Sequence, residues 1–124
     1  MIDHLSIQVR DVEASRAFYD TALAPLGGRR MIEFGPVTGY GVDKPTFWIG
    51  PLDEGQPAEN RQVHVAFEAP DRAAVIAFTD QAIAHGAELL HAPRVWTEYH
   101  ADYFGGFVRD PDGNNVEAVC HLPE

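Results

Sequence analysis

"HLSIQVRDVEASRAFYDTALA", residues 4–24, set above "HVAFEAPDRAAVIAFTDQAIA", residues 64–84, is the pairing that decides the fold. Eight of the 21 ungapped positions are identical: His4/His64, Asp11/Asp71, Ala14/Ala74, Ala17/Ala77, Phe18/Phe78, Asp20/Asp80, Ala22/Ala82 and Ala24/Ala84. Unrelated stretches of that length would share about one or two, so the chain uses one structural unit twice. Helical alanines alone do not explain the score, because His, Asp and Phe match as well.

Each copy opens on a strand and continues into a helix. "IDHLSIQV" and "VHVAFEA" alternate with period two. Asp11 and Asp71 then take the N-cap position, where a carboxylate accepts from helix N–H groups that have no partner in the helix. The helices are expected to run to about Ala24 and His85, with Gly27 and Gly86 as stops. Strand-like runs follow: "RRMIEF", "TGYGV" and "TFWIG" in the first half, "AELLHAP", "FGGFVRD" and "NVEAVCH" in the second. Each half therefore reads βαβββ, and the fold class is α+β. The modules span about 1–52 and 62–124 within one domain. The Pro-, Gly- and acid-rich "PLDEGQPAENRQ" reads as the join, with a linker at 53–61 that leaves Asp53 and Glu54 in solvent.

Alternation also assigns faces. In the first strand Leu5, Ile7 and Val9 form the apolar set, which should meet the helix, and His4, Ser6 and Gln8 point the other way. In its repeat Val63, Val65 and Phe67 face the helix, and His64, Ala66 and Glu68 the opposite side. In the last strand Val116, Ala118 and Cys120 form one set, and Asn115, Glu117 and Val119 the other. Glu117 is thus expected on the same sheet face as the two histidines, with Cys120 in the core.

Two imidazoles and one carboxylate on a common face match a facial metal triad, with nitrogen and oxygen donors that suit Fe(II), Mn(II), Zn(II), Co(II) or Ni(II). Three protein ligands leave positions open for water or substrate. Each histidine taken singly would read as a hydrogen-bonded strand residue. Their matched positions in duplicated units are what point to a metal. "DPDGNN", residues 110–115, resembles the start of a calcium loop, but Asn115 and His121 stand where that loop needs Gly and Glu. It reads instead as a type I turn that delivers Glu117 to the sheet.

The paired modules, His4 in "IDHLSIQV", His64 in "VHVAF" and the ending "DPDGNNVEAV" together resemble the vicinal oxygen chelate superfamily, the glyoxalase, bleomycin-resistance and extradiol-dioxygenase group. The resemblance implies eight strands curled into two half-barrels around a metal- and substrate-binding cup, with the helices outside. It implies His4, His64 and Glu117 as ligands of a divalent ion such as Fe2+, Zn2+, Ni2+ or Mn2+. It further implies an enzyme of the glyoxalase-like lyase/isomerase or extradiol-dioxygenase type that chelates a small oxygenated substrate, or else a metal-free protein that sequesters a small molecule. Glyoxalase I enzymes carry a fourth, acidic ligand on the last strand of the first module. Alternation gives that cup position to Trp48, which cannot ligate and is expected to line the substrate pocket.

Proton transfer is expected from "VWTEYHADYFGGF", residues 95–107. His100 has the apt intrinsic acidity, and Tyr99 and Tyr103 are donors to an oxyanion. His85 and His91 read as surface residues, and His121 as a chain-end residue. The formal charge of −10 argues against nucleic acid or an anionic membrane as partner. A single cysteine and no leader-like or membrane-spanning run point to a cytoplasmic protein. Chains of this kind in the family pair as homodimers, in some cases building each site from His4 of one chain with His64 and Glu117 of the other.

Overall fold

The computed structural model describes residues 1–52 and 63–124, so the expected linker, with Asp53 and Glu54, lies outside the described residues. The first module runs β1 (Leu5–Val9), α1 (Val12–Leu23), a 3₁₀ turn (Ala24–Leu26), β2 (Arg29–Phe34), β3 (Val37–Gly41) and β4 (Pro45–Pro51). The second runs β5 (His64–Glu68), α2 (Arg72–Ala84), β6 (Leu89–Val95), β7 (Phe104–Arg109) and β8 (Asn115–Cys120). Both are βαβββ, as the repeat requires.

The eight strands divide into two four-stranded sheets of identical topology, β1-β4-β3-β2 and β5-β8-β7-β6. In each, the first strand pairs in parallel with the last, and the remaining pairs are antiparallel. A parallel partner cannot follow through a tight hairpin, and the helix supplies the crossover.

The repeated residues have mechanical roles in both copies. The Asp11 carboxylate accepts from the Ala14 N–H at 3.0 Å, and Asp71 accepts from Ala74 at 2.7 Å. Phe18 and Phe78 are both buried, as are Ala22 and Ala82, one helical turn further on. Each phenylalanine contributes about 1.5–3 kcal/mol through the apolar surface it removes from water. Gly27 and Gly86 end the helices in the left-handed region, with φ of 83° and 89°.

The two modules meet helix to helix, α1 and the 3₁₀ turn packing on α2. A continuous core runs through both. Phe47 of β4 meets Phe67 of β5 edge to face at 5.0 Å. Tyr19 of α1 donates its hydroxyl to Asp110 of the β7–β8 turn at 2.7 Å. Asp110 also accepts from the backbone N–H groups of Asp112 and Asn114 and from the Asn114 amide. With Gly113 N–H donating to the Asp110 carbonyl at 2.9 Å, the segment is the expected four-residue turn. With the helices between the modules, each sheet turns its other face away from the core.

The assigned faces hold for Ile7 and Val9, Val65, Val116, Ala118 and Cys120, all buried. Leu5, at the first position of β1, is 39% exposed instead, because it lies at the open end of the strand. No helix among the described residues is long and apolar enough to cross a membrane.

Candidate functional site

Glu117 answers to its parity. It sits mid-strand in β8, opposite Ala66 on β5 and Phe107 on β7, and is 1% exposed. Its Oε2 lies 2.9 Å from Nε2 of His64, and its Oε1 accepts a short hydrogen bond from the Tyr103 hydroxyl. The carboxylate is therefore held by one imidazole and one phenol. A buried carboxylate is stable only when paired or well hydrogen-bonded, and among the described residues these two side chains are its partners. The close approach depends on Gly105. A Cβ there would stand 3.0 Å from Glu117 Oε1 and 3.2 Å from Tyr103 Cε1.

Around this pair is a hollow of about 400 Å³. His64, Glu117 and Phe107 form its floor, and Tyr99, Tyr103, His100 and His121 its wall. Phe107 packs between His64, at 6.0 Å, and Trp96, at 5.2 Å. The Trp96 indole N–H donates to the Gly105 carbonyl at 2.9 Å, which fixes the loop to the sheet. Tyr99 packs edge to face on Tyr103 at 4.8 Å and is itself 61% exposed. Burial, and then the hydrogen bond to Glu117, push the Tyr103 phenol well above its ordinary value. It stays protonated and acts as a donor.

The expected loop residues Tyr99, His100 and Tyr103 thus stand at one hollow with His64 and Glu117. His4 does not. It precedes β1 on the first module's sheet, its side chain is 59% exposed, and its Nδ1 lies 2.7 Å from Asp3 Oδ1. That contact, then Lys44, holds the Asp3 carboxyl below its usual range. Among the described residues, no three His, Cys, Asp or Glu side chains come together as a metal site.

Trp48 holds the place the alternation gives it. Ser6 on β1 faces Trp48 on β4, as Ala66 on β5 faces Glu117 on β8. Trp48 and Glu117 are therefore equivalent positions of the two modules. The indole stacks with Phe34 at 6.3 Å and 9° between planes.

The sequence reads His121 as a chain-end residue. It lies 2.9 Å from His100 and in the wall of the hollow. It shares the parity of Glu117, but it lies beyond the last strand, where parity alone does not fix a face. His85 is exposed, as expected, and among the described residues its ring bonds its own helix end. His91 is exposed too, but stands on β6 opposite Phe107 and packs on it at 5.5 Å, on the floor side of the hollow.

These observations can be set beside known proteins. The sequence model of the Glyoxalase/Bleomycin resistance protein/Dioxygenase superfamily matches residues 1–118. An uncharacterized protein of Pseudomonas aeruginosa is 33% identical over 94% of this chain and 85% of its own length. The crystal structure of a glyoxalase/bleomycin resistance protein from Albidiferax ferrireducens superposes with a TM-score of 0.83 at 28% identity, covering 94% of this chain and 96% of that one. A lactoylglutathione lyase from Agrobacterium tumefaciens shares the fold, with a TM-score of 0.68 at 21% identity over 97% and 92% of the two chains. The repeat, the topology and these matches agree: the chain belongs to the Glyoxalase/Bleomycin resistance protein/Dioxygenase superfamily.

Proposed function

We propose that this protein is a metal-dependent enzyme acting on a small oxygenated substrate, with His64 and Glu117 as two ligands of a divalent ion and His4 of a second copy as the third. The observation that carries the reading is Glu117, a fully buried carboxylate held, among the described residues, by an imidazole and a phenol. The donor set fits a divalent ion: imidazole nitrogen and carboxylate oxygen are the first-row metal donors, and the buried negative charge gains a cation. When bound, such an ion supplies Lewis-acid stabilisation of negative charge on a substrate oxygen.

The chain's own residues do the rest. Tyr103 holds one Glu117 oxygen and so aims the other toward His64. Phe107, backed by Trp96, gives the hollow an apolar side that strengthens the polar contacts beside it. Tyr99 places a phenolic hydroxyl at the wall, where it can donate to an oxygen that gains charge, while the Tyr103 hydrogen is committed to Glu117. Trp48, on the matching face of the first sheet, offers a flat surface for a substrate body.

The second copy enters because the helices lie between the modules, leaving His4 and Glu117 on separate sheets. A two-fold pair would bring the first-module face of one chain over the second-module face of its partner. The protein would then be a homodimer with two equal cups. Lyase, isomerase and dioxygenase chemistry all follow from an oxygen-chelated substrate, and the bound metal would direct the choice among them.

Elemental mass spectrometry of untagged protein purified without chelator tests this. Near-stoichiometric metal that disappears in His64→Ala is the expected result. Protein that stays empty after incubation with each divalent ion would overturn the metal reading and leave a cup that binds small molecules without metal.

A further inference from the structure

The wall of the cup contains a chain of hydrogen bonds whose directions can be read without ambiguity. It begins at a backbone amide. The Asp102 N–H donates to Nδ1 of His100 at 3.1 Å. A backbone N–H can only donate, so Nδ1 of His100 is the bare nitrogen and Nε2 carries the hydrogen. That Nε2 lies 2.9 Å from Nδ1 of His121 and donates to it. Nδ1 of His121 is then also bare, and its hydrogen is on Nε2. The tautomers of both rings follow from one peptide group.

His100, expected from the sequence to transfer protons, has both nitrogens engaged: one accepts from the backbone, and the other gives its hydrogen to His121. The outward group of the pair is the His121 N–H, which has no hydrogen-bond partner among the described residues. Both rings are held in place by Tyr103, against whose ring His100 packs at 5.5 Å and His121 at 5.2 Å, each near perpendicular. The Tyr103 hydroxyl reaches Glu117, so the pair is keyed to the same carboxylate that anchors the floor.

We propose that His121 is a substrate-contacting residue of this cup, a hydrogen-bond donor whose tautomer His100 sets. The proposal rests on the cup being the substrate site and not on the presence of a metal. His100 is a positioning residue. The substrate class is a small, flat molecule bearing an oxygen acceptor, such as a carboxylate, enolate or phenolate. The acceptor meets the His121 N–H, and the flat body packs on Phe107 and Tyr99.

Long-range proton–nitrogen correlation spectra of metal-free protein read the tautomer of each ring directly. Both His100 and His121 should carry hydrogen on Nε2, and His100→Phe should turn His121 into a mixture of tautomers. Benzoate serves as the probe ligand in the same samples. His121→Phe, which keeps a ring against Tyr103, should weaken benzoate binding about tenfold, the usual worth of one hydrogen bond to a charged group. An Nδ1–H tautomer at His121, or benzoate binding that is absent or undiminished in His121→Phe, overturns the proposal. The spectra need no metal, so a protein that proves metal-free would sink the ligand assignment and leave this result standing.

Discussion

Trp48 and Glu117 occupy one place in two copies of one unit, and their surroundings are inverted. In the first module the large side chain is on the last strand and its neighbour on β3 is Gly39, where a Cβ would stand 2.8 Å from the indole. In the second module the last strand carries the slimmer carboxylate and the neighbour on β7 is Phe107. Each sheet fills the same space, with the bulk exchanged between adjacent strands. The repeated helical positions have changed less: the caps and the buried Phe and Ala coincide, and a glycine follows each helix. Duplication has kept parts that fold the unit and separated the parts on the other face of each sheet, one aromatic and one ionisable.

The largest effect should come from removing the ionisable member. Glu117→Gln keeps the shape and a hydrogen bond to Tyr103 but removes the charge. It is expected to weaken metal binding at least about 100-fold, beyond what outer partners of a ligand contribute. Isothermal titration with Mn2+ or Zn2+ against folded variant protein checks it, and unchanged affinity would contradict the ligand role.

Next comes the seam that lets the two modules differ while sharing a core. Tyr19 donates across it to Asp110. Tyr19→Phe should cost about 2 kcal/mol, as a buried hydrogen bond to a carboxylate does. Burial first, and then Asp110, push the Tyr19 phenol far above its ordinary value, and burial and then Asp20 raise Tyr40 likewise. A raised phenol stabilises the fold fully below about pH 10, the unfolded value, and loses that contribution as pH rises toward the folded value. Thermal melts across pH should therefore show wild-type stability falling above about pH 10, and a flatter decline in Tyr19→Phe from a lower start.

Trp48→Glu sharpens the comparison by making the modules alike. A carboxylate on the first sheet should tighten metal binding roughly tenfold through added ligand charge. The same titration reads it, and weaker binding would mean that the two faces do not meet at one ion. Gly39→Ala is the smallest change. The indole must shift to admit the methyl, and because Trp48 is only half-buried the cost should be near the low end of overpacking, about 1 kcal/mol in a denaturant melt.

Much of this was legible in the chain because period two and an ungapped repeat are strong local signals. Every strand and both helices lie where alternation and caps place them, and the parity of His64, Trp48 and Glu117 is what the sheets show. The separation of the two sheets was not legible. Parity assigns a residue to a face but says nothing of whether two faces meet, which is why His4 and Glu117 share a parity and not a hollow. His121 escaped for a related reason. It follows the last strand, where alternation loses force, and its contact is with His100 across 21 residues of chain. No local pattern encodes such a contact.

The central claim is that the unequal faces belong to one site completed between two copies. It is tested most directly by mixing His4→Ala protein with Glu117→Gln protein under conditions that exchange subunits, and measuring metal content. Each variant alone should be empty. In the mixed dimer one cup would carry both defects and the other none, so metal should return to one of its two cups. A mixed dimer that forms and stays empty, or a His4→Ala protein that keeps its metal, would contradict the account.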